Sequence, residues 1–285
     1  MSKLDFAGTS RVADTPEGKI HYHEAGQGPA LLLIHGSGPG VRGWFNFEGN
    51  LPLFAKHFRC VIIDLPGYGD SDAVAGHPIL ASVEACVRLL DALNIDSAHV
   101  IGNSLGGIVG SYLAAQHVAR VKSFVSIGGI GINVFSPFPG QGIGLLSEFA
   151  EDPTRERITA WLRSMVFDQS LVTEELIELR FKQATDPKTL ASSRQMYSRA
   201  GLEALAAEFR GPNAHQRLVH LASIQAPTLL TWGRDDRVSP LDMALVPMRI
   251  IPRCELHVFP NCGHWAMIER KAEFESTVLS FLLRE

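Results

Sequence analysis

Apolar and polar positions fall along this chain in blocks whose period changes in a regular order. Residues 19–24 (Lys-Ile-His-Tyr-His-Glu) alternate with period two, which predicts an antiparallel strand. Residues 30–34 (Ala-Leu-Leu-Leu-Ile) and 59–64 (Arg-Cys-Val-Ile-Ile-Asp) are continuous apolar runs, as for strands buried on both faces. A helical period follows over 79–93, with Val83, Val87, Leu90 and Leu93 near one face. Residues 98–101 predict another buried strand and 107–115 the next helix. Strands are expected again over 121–127, ended by Gly128-Gly129, and over 227–232 and 255–259. A last helix is expected over 271–283. Strand alternating with helix predicts an α/β fold, a mostly parallel sheet covered by helices on both faces. The stretch 135–221 breaks that rhythm. It is rich in helix formers, lacks a strand pattern and opens near Pro137-Phe138-Pro139-Gly140. It reads as a helical lid inserted over the strand ends, with 1–134 and 222–285 forming the core domain.

One junction carries chemistry on its own. Gly102-Asn103-Ser104-Leu105-Gly106 lies between an expected strand and an expected helix. Gly-x-Ser-x-Gly in that setting is the pattern of a nucleophile elbow. The turn is so tight that a Cβ on either flank would strike backbone, so both flanks are glycine. The same turn lifts the Ser104 hydroxyl off the sheet and sets the Leu105 N–H at a helix N-terminus, facing any oxyanion formed there.

A serine hydroxyl needs an adjacent base. His264, in Asn261-Cys262-Gly263-His264-Trp265, follows the strand expected at 255–259. Asp236, in Gly233-Arg234-Asp235-Asp236, follows the one expected at 227–232. Both fall at the carboxyl edge of the sheet, where open α/β sheets place their sites. The order Ser, Asp, His is that of the α/β-hydrolase fold. His264 is expected to move the proton, and Asp236 to fix its tautomer and steady the imidazolium. Asp235 is the rival acid; position in the turn favours Asp236.

The second oxyanion donor is expected from the loop after 30–34, His35-Gly36-Ser37-Gly38-Pro39-Gly40, and the Ser37 N–H is the best placed. Gly38-Pro39-Gly40-Val41-Arg42-Gly43 also matches a dinucleotide-binding glycine pattern. Pro39 removes one of the N–H groups that reading needs, and it leaves His35 unexplained, so no cofactor is assigned. His21 and His23 share a strand face and could bind a metal. With no third ligand in view, a solvated pair is the expectation, and no metal is assigned. Around Arg180, a wheel at 100° per residue puts Leu176, Ile177, Leu179 and Phe181 on one apolar arc, with Arg180 near its middle. A guanidinium there needs an anion. An internal salt bridge and a substrate carboxylate both fit.

Composition narrows the classes. The 285 residues are 46% hydrophobic and 20% charged with net charge −4, so the basic footprint of a nucleic-acid binder is missing. No run approaches the ~20 apolar residues of a membrane span, and residues 1–6 lack the apolar core of a signal peptide. Cys60, Cys86, Cys254 and Cys262 are scattered and read as reduced thiols of a cytoplasmic protein. Cys262 stands close to His264, but a small packed side chain explains it better than a second nucleophile.

These residues resemble a family. His35 to Gly40 with Gly43-Trp44-Phe45-Asn46, the elbow with Gly107, Gly233 to Arg237, Cys262 to Trp265, and the segment from Asp168 to Arg180 look like the meta-cleavage product hydrolases, α/β-hydrolases that break a carbon–carbon bond. The likeness runs from about residue 21 onward. It implies a small-molecule substrate, a 2-hydroxy-6-oxo-hexa-2,4-dienoate, with Arg180, Asn103 and Asn46 on its carboxylate and 2-oxygen. Gly36 and Gly38 would line the same site, and Trp265 would pack on the dienoate. It also implies a homo-oligomer. One departure is Leu105, where the family usually has Met; the group that acts there is a backbone N–H. The same triad would serve a carboxylesterase, and the fold also hosts non-catalytic binding proteins. Phe135, Phe138, Ile143, Leu146, Trp161, Met165, Val166 and Phe167 could line a pocket for the C6 substituent or form lid core.

Overall fold

Eight strands form one sheet in the order β1-β2-β4-β3-β5-β6-β7-β8. They are β1 (Ser10–Thr15), β2 (Gly18–Ala25), β3 (Ala30–Ile34), β4 (Arg59–Ile63), β5 (Ala98–Asn103), β6 (Val121–Ile127), β7 (Thr228–Gly233) and β8 (Cys254–Phe259). The computed structural model describes residues 4–210 and 214–284. β1 pairs antiparallel with β2, and β2 with β4; every later pairing is parallel.

The continuous apolar runs are explained by two cores, one on each face. Leu31, Leu33, Ile62 and Ile101 point to one, and Leu32, Ile34, Val61 and Val100 to the other. Alternate residues of one strand thus bury on opposite sides, so runs such as β3 are apolar at every position, and the polar residues buried on the central strands, such as His99 and Ser123, are hydrogen-bonded to one another. The helices Pro78–Ala92 and Leu105–Gln116 cover the second face. Phe274, Val278 and Phe281 of the helix Lys271–Leu282 cover the first. β1 has no such pattern: Ala13 is its single buried residue. An edge strand paired on one side leaves its other positions to solvent, and its sequence shows no alternation to read.

Between β6 and β7 the chain runs through the helices Gln141–Glu151, Arg155–Met165, Glu174–Ala184, Pro187–Tyr197 and Arg199–Arg210, then the 3-10 segment Ala214–Ser223. Thr154 and Thr173 cap two of them, each accepting an N–H three residues on, and Glu174 and Glu175 add negative charge at the second start. Trp161, Leu162 and Phe149 join the first core. Among the described residues no helix is long and apolar enough to cross a membrane.

Candidate active site

β5 ends at Asn103, and Ser104 turns the chain into the helix that begins at Leu105. Ser104 has φ +52° and ψ −113°, a strained conformation for a residue with a side chain. Neighbours hold it there: its N–H donates to the Ile127 carbonyl at 2.9 Å. A Cβ on Gly102 would lie 2.1 Å from the Gly106 oxygen, and one on Gly106 would lie 2.1 Å from the Ile34 oxygen. The elbow therefore needs glycine at both flanks.

His264 Nδ1 lies 2.7 Å from Asp236 Oδ2, and both side chains are almost fully buried. The other oxygen, Asp236 Oδ1, accepts the N–H groups of Val238 and Ser239 at 2.7 and 2.8 Å. Asp236 is thus fixed at both oxygens, and His264 keeps Nε2 for a second partner. Asp235 turns away, taking Arg234 and the Cys262 N–H instead. Two adjacent glycines bring the pair to the serine. A Cβ on Gly128 would lie 3.4 Å from His264 Cε1 and 3.7 Å from Asp236 Oδ2, and one on Gly129 would lie 2.2 Å from the Ser104 carbonyl oxygen. The two Cα atoms are ~3.8 Å apart, so the His264 imidazole and the Ser104 backbone rest against one dipeptide. The His264 loop is also tied to the inserted helices: His264 N–H donates to Met165 O at 2.7 Å. Glu269, which sequence reasoning passed over, accepts the N–H groups of Gly263, Phe167 and Asp168. Burial raises the Glu269 carboxyl above its usual range, with those bonds opposing.

The loop after β3 is pinned from several sides. Asn46 Oδ1 accepts the Gly36 N–H at 2.9 Å. His35 Nε2 accepts the Leu65 N–H at 3.0 Å while its Nδ1 donates to Gly36 O, which fixes the tautomer. Burial lowers its pKa, so the ring is a neutral strut. The Ser37 hydroxyl accepts from Tyr197, a residue of the inserted helices that the sequence did not single out. Gly38 (φ +131°) has Trp161 3.1 Å from where its Cβ would be. The Gly43 N–H, which a dinucleotide phosphate would want, is occupied by Asp64 Oδ1 at 2.7 Å.

A cavity of about 450 Å³ opens at Ser104. Ser37 and Leu105 share its wall with Ile108, Ile130, Ile143, Met196, Leu202 and Val238 among others. Gly36, Asn46, Asn103, Arg180 and Trp265 lie outside that wall, and Gly38 opens on an adjoining cavity of about 330 Å³. Asn103 Nδ2 donates to Ile127 O at 3.2 Å. Of the residues expected near the C6 substituent, Phe138 and Ile143 reach the larger cavity. Leu146, Trp161, Met165 and Val166 are core, whereas Phe135 and Phe167 are exposed.

Arg180 is 4% exposed. Its Nη1 donates to Gly40 O at 3.2 Å, its guanidinium lies over the Phe45 ring at 5.3 Å, and its Nε has no partner. Burial draws its pKa down to about 10, with the Glu48 charge opposing. Leu179, expected on the apolar arc, is 42% exposed.

The expectation for His21 and His23 needs correction, because both are buried. His21 Nδ1 bonds to Asp64 Oδ2 and its Nε2 to Ser10 Oγ, each at 2.8 Å, and Thr9 Oγ1 meets His23 Nδ1 at 3.0 Å. The short helix Phe6–Thr9 lies over the pair, with Phe6 against both rings. His21, Asp64 and Asp70 approach closely enough to hold an ion. Asp64 already accepts from His21 and from the N–H groups of Gly43 and Asp70, and these bonds hold its carboxyl low despite burial. Burial raises the Cys262 thiol, and the nearby Glu269 and Asp236 charges raise it further.

A mostly parallel sheet, a strained serine elbow, and an acid–histidine pair on later strand ends define an α/β-hydrolase. The family model described as "alpha/beta hydrolase fold" matches residues 29–271. A 2-hydroxy-6-oxo-6-phenylhexa-2,4-dienoate hydrolase of Burkholderia cepacia is 37% identical over 99% of both chains. A 2-hydroxy-6-oxononadienedioate/2-hydroxy-6-oxononatrienedioate hydrolase of Burkholderia vietnamiensis is 38% identical over 96% of this chain and 94% of that protein. The solved meta-cleavage product hydrolase of Pseudomonas fluorescens superposes with a TM-score of 0.86 at 28% identity, covering 97% of this chain and 98% of that one. The chain belongs to the α/β-hydrolase family and, within it, to the meta-cleavage product hydrolases.

Proposed function

We propose that this protein hydrolyses the C5–C6 bond of a 2-hydroxy-6-oxo-6-substituted-hexa-2,4-dienoate, giving 2-hydroxypenta-2,4-dienoate and a carboxylic acid. The observation that carries the reading is Arg180: a buried guanidinium with an unpartnered Nε, bonded to the loop that holds Ser37. Glu48 acts on this cation only through space; a buried guanidinium with no carboxylate bonded to it is costly, and a substrate carboxylate supplies one. The names of the relatives support the same substrate class.

In this reading Arg180, Asn103 and Asn46 hold the carboxylate and 2-oxygen, beside Gly36, Gly38 and Trp265. The dienol ketonises, its 2-OH proton passing to C5. Ser104, or a water activated by His264, attacks the C6 ketone as His264 takes the proton. The N–H groups of Ser37 and Leu105 receive the oxyanion. The C5–C6 bond then breaks, its electron pair moving through C5 into the conjugated enolate, whose oxygen takes the proton back from His264; where Ser104 is the attacking group, a water activated by His264 then hydrolyses the acyl-serine, releasing the carboxylic acid and restoring the hydroxyl. Residues 135–221 act as the lid. The apolar cavity at Ser104 receives the C6 substituent. The test is bleaching of the coloured dienone. The wild type should bleach it, and Ser104→Ala should bind it without turnover. Unchanged turnover in Ser104→Ala would reject the nucleophile.

A further inference from the structure

Two cavities meet at the site, and among the described residues Tyr197 alone lines both. It ends the helix Pro187–Tyr197, in the segment between β6 and β7. Its hydroxyl donates to Ser37 Oγ, a residue 160 positions away in the chain. Ser37 stands between Gly36 and Gly38, and Gly38 has φ +131°. A loop of that composition has large backbone freedom. It is tethered from the core through Asn46 to Gly36, and from the inserted helices through Tyr197 to Ser37.

We propose that Tyr197 is a positioning residue for the hydrolysis: its hydroxyl fixes Ser37 so that the Ser37 N–H is aimed at the oxyanion. The donor is dependable at neutral pH, since burial pushes the Tyr197 phenol up to about 12, with the Ser37 bond opposing. The ring meanwhile partitions the apolar cavity at Ser104 from the more polar cavity beside Gly40. One consequence is that the oxyanion hole is complete only while the inserted helices rest on the core. The assignment rests on the proposed oxyanion role of Ser37, and an ester substrate tests it apart from the carbon–carbon reaction, because both pass through an oxyanion.

The experiment compares Tyr197→Phe, Ser37→Ala and the double variant on the 6-phenyl dienone and on neutral p-nitrophenyl acetate. A displaced oxyanion donor costs on the order of 10–100-fold in kcat. Tyr197→Phe should therefore lose about that much kcat on both substrates, with KM near the wild-type value because the ring remains. The double variant should lose no more than the worse single one, since both remove the same bond. Wild-type kcat for the ester in Tyr197→Phe would overturn the proposal. So would losses that multiply, or a defect confined to KM for the dienone, which would make Tyr197 a wall contact. A wild type that cleaves the ester and leaves the dienone intact would sink the substrate reading while leaving this test in force.

Discussion

Replacing Arg180 by methionine should make the protein more stable and nearly useless for dienoates. Burial takes the guanidinium pKa from 12.5 to about 10. At about 1.4 kcal/mol per tenfold, keeping that charge in the fold costs about 3 kcal/mol. The sign follows from linkage: the unfolded chain holds this proton more tightly than the folded one, so the penalty is complete below pH 10 and fades as pH rises above it. Methionine fills similar volume without charge. It forfeits one hydrogen bond to Gly40 O and the Phe45 contact, together about 1–2 kcal/mol. The balance is a gain of about 1–2 kcal/mol, a rise in Tm of roughly 2–8 °C. Against this, losing one partner of a desolvated charge pair costs about 2–5 kcal/mol of binding, or roughly 30- to 5000-fold in kcat/KM for the dienone. A neutral p-nitrophenyl ester, lacking the carboxylate, should lose less than about threefold. Calorimetry and steady-state kinetics on both substrates read the two effects. A lower Tm with equal kinetic losses would show that Arg180 is a structural group, and the carboxylate role would fall.

Asp236→Asn should leave the melting temperature within a few degrees, because the asparagine Oδ1 can still accept from Val238 and Ser239. Its amide would face His264 Nδ1 and impose the wrong tautomer, lowering kcat by about 10⁴; a loss below tenfold would refute the pairing. His23, whose pKa burial and the neighbouring His21 lower to about 4, should make the fold acid-sensitive. The unfolded chain takes up this proton near pH 6.5 and the folded one near pH 4. Stability should therefore fall by up to about 3 kcal/mol as pH drops through that window. Urea midpoints of His23→Gln at pH 7 and 4.5 should differ less than those of the wild type, and parallel curves would refute the assignment.

Much of this architecture is local in the sequence. A strand buried on both faces is mostly apolar and is bounded by polar or glycine residues, so β3 and β6 are bounded to the residue, and β4, β5, β7 and β8 within two. The elbow and the loops carrying Asp236 and His264 are short motifs whose glycines are dictated by backbone contact. β1 was invisible because it buries one side chain. Tyr197 and Glu269 carry no local signature; each acts on a partner roughly 100 or more positions away. The Arg180 wheel located a buried cation but misplaced Leu179, since helical period says nothing about which flank a neighbour covers. Strand alternation predicts a solvated histidine pair, yet the short helix Phe6–Thr9 covers it.

The four cysteines give the molecule a chemical temperament. Burial drives Cys60, Cys86 and Cys254 to about 12, and Cys262 is also raised. Thiolate is the form that electrophiles consume, and it is scarce here even beside the reactive centre. Alkylating agents and mild oxidants that silence sulfur-dependent catalysts should leave this one running, while reagents that trap an activated hydroxyl stop it.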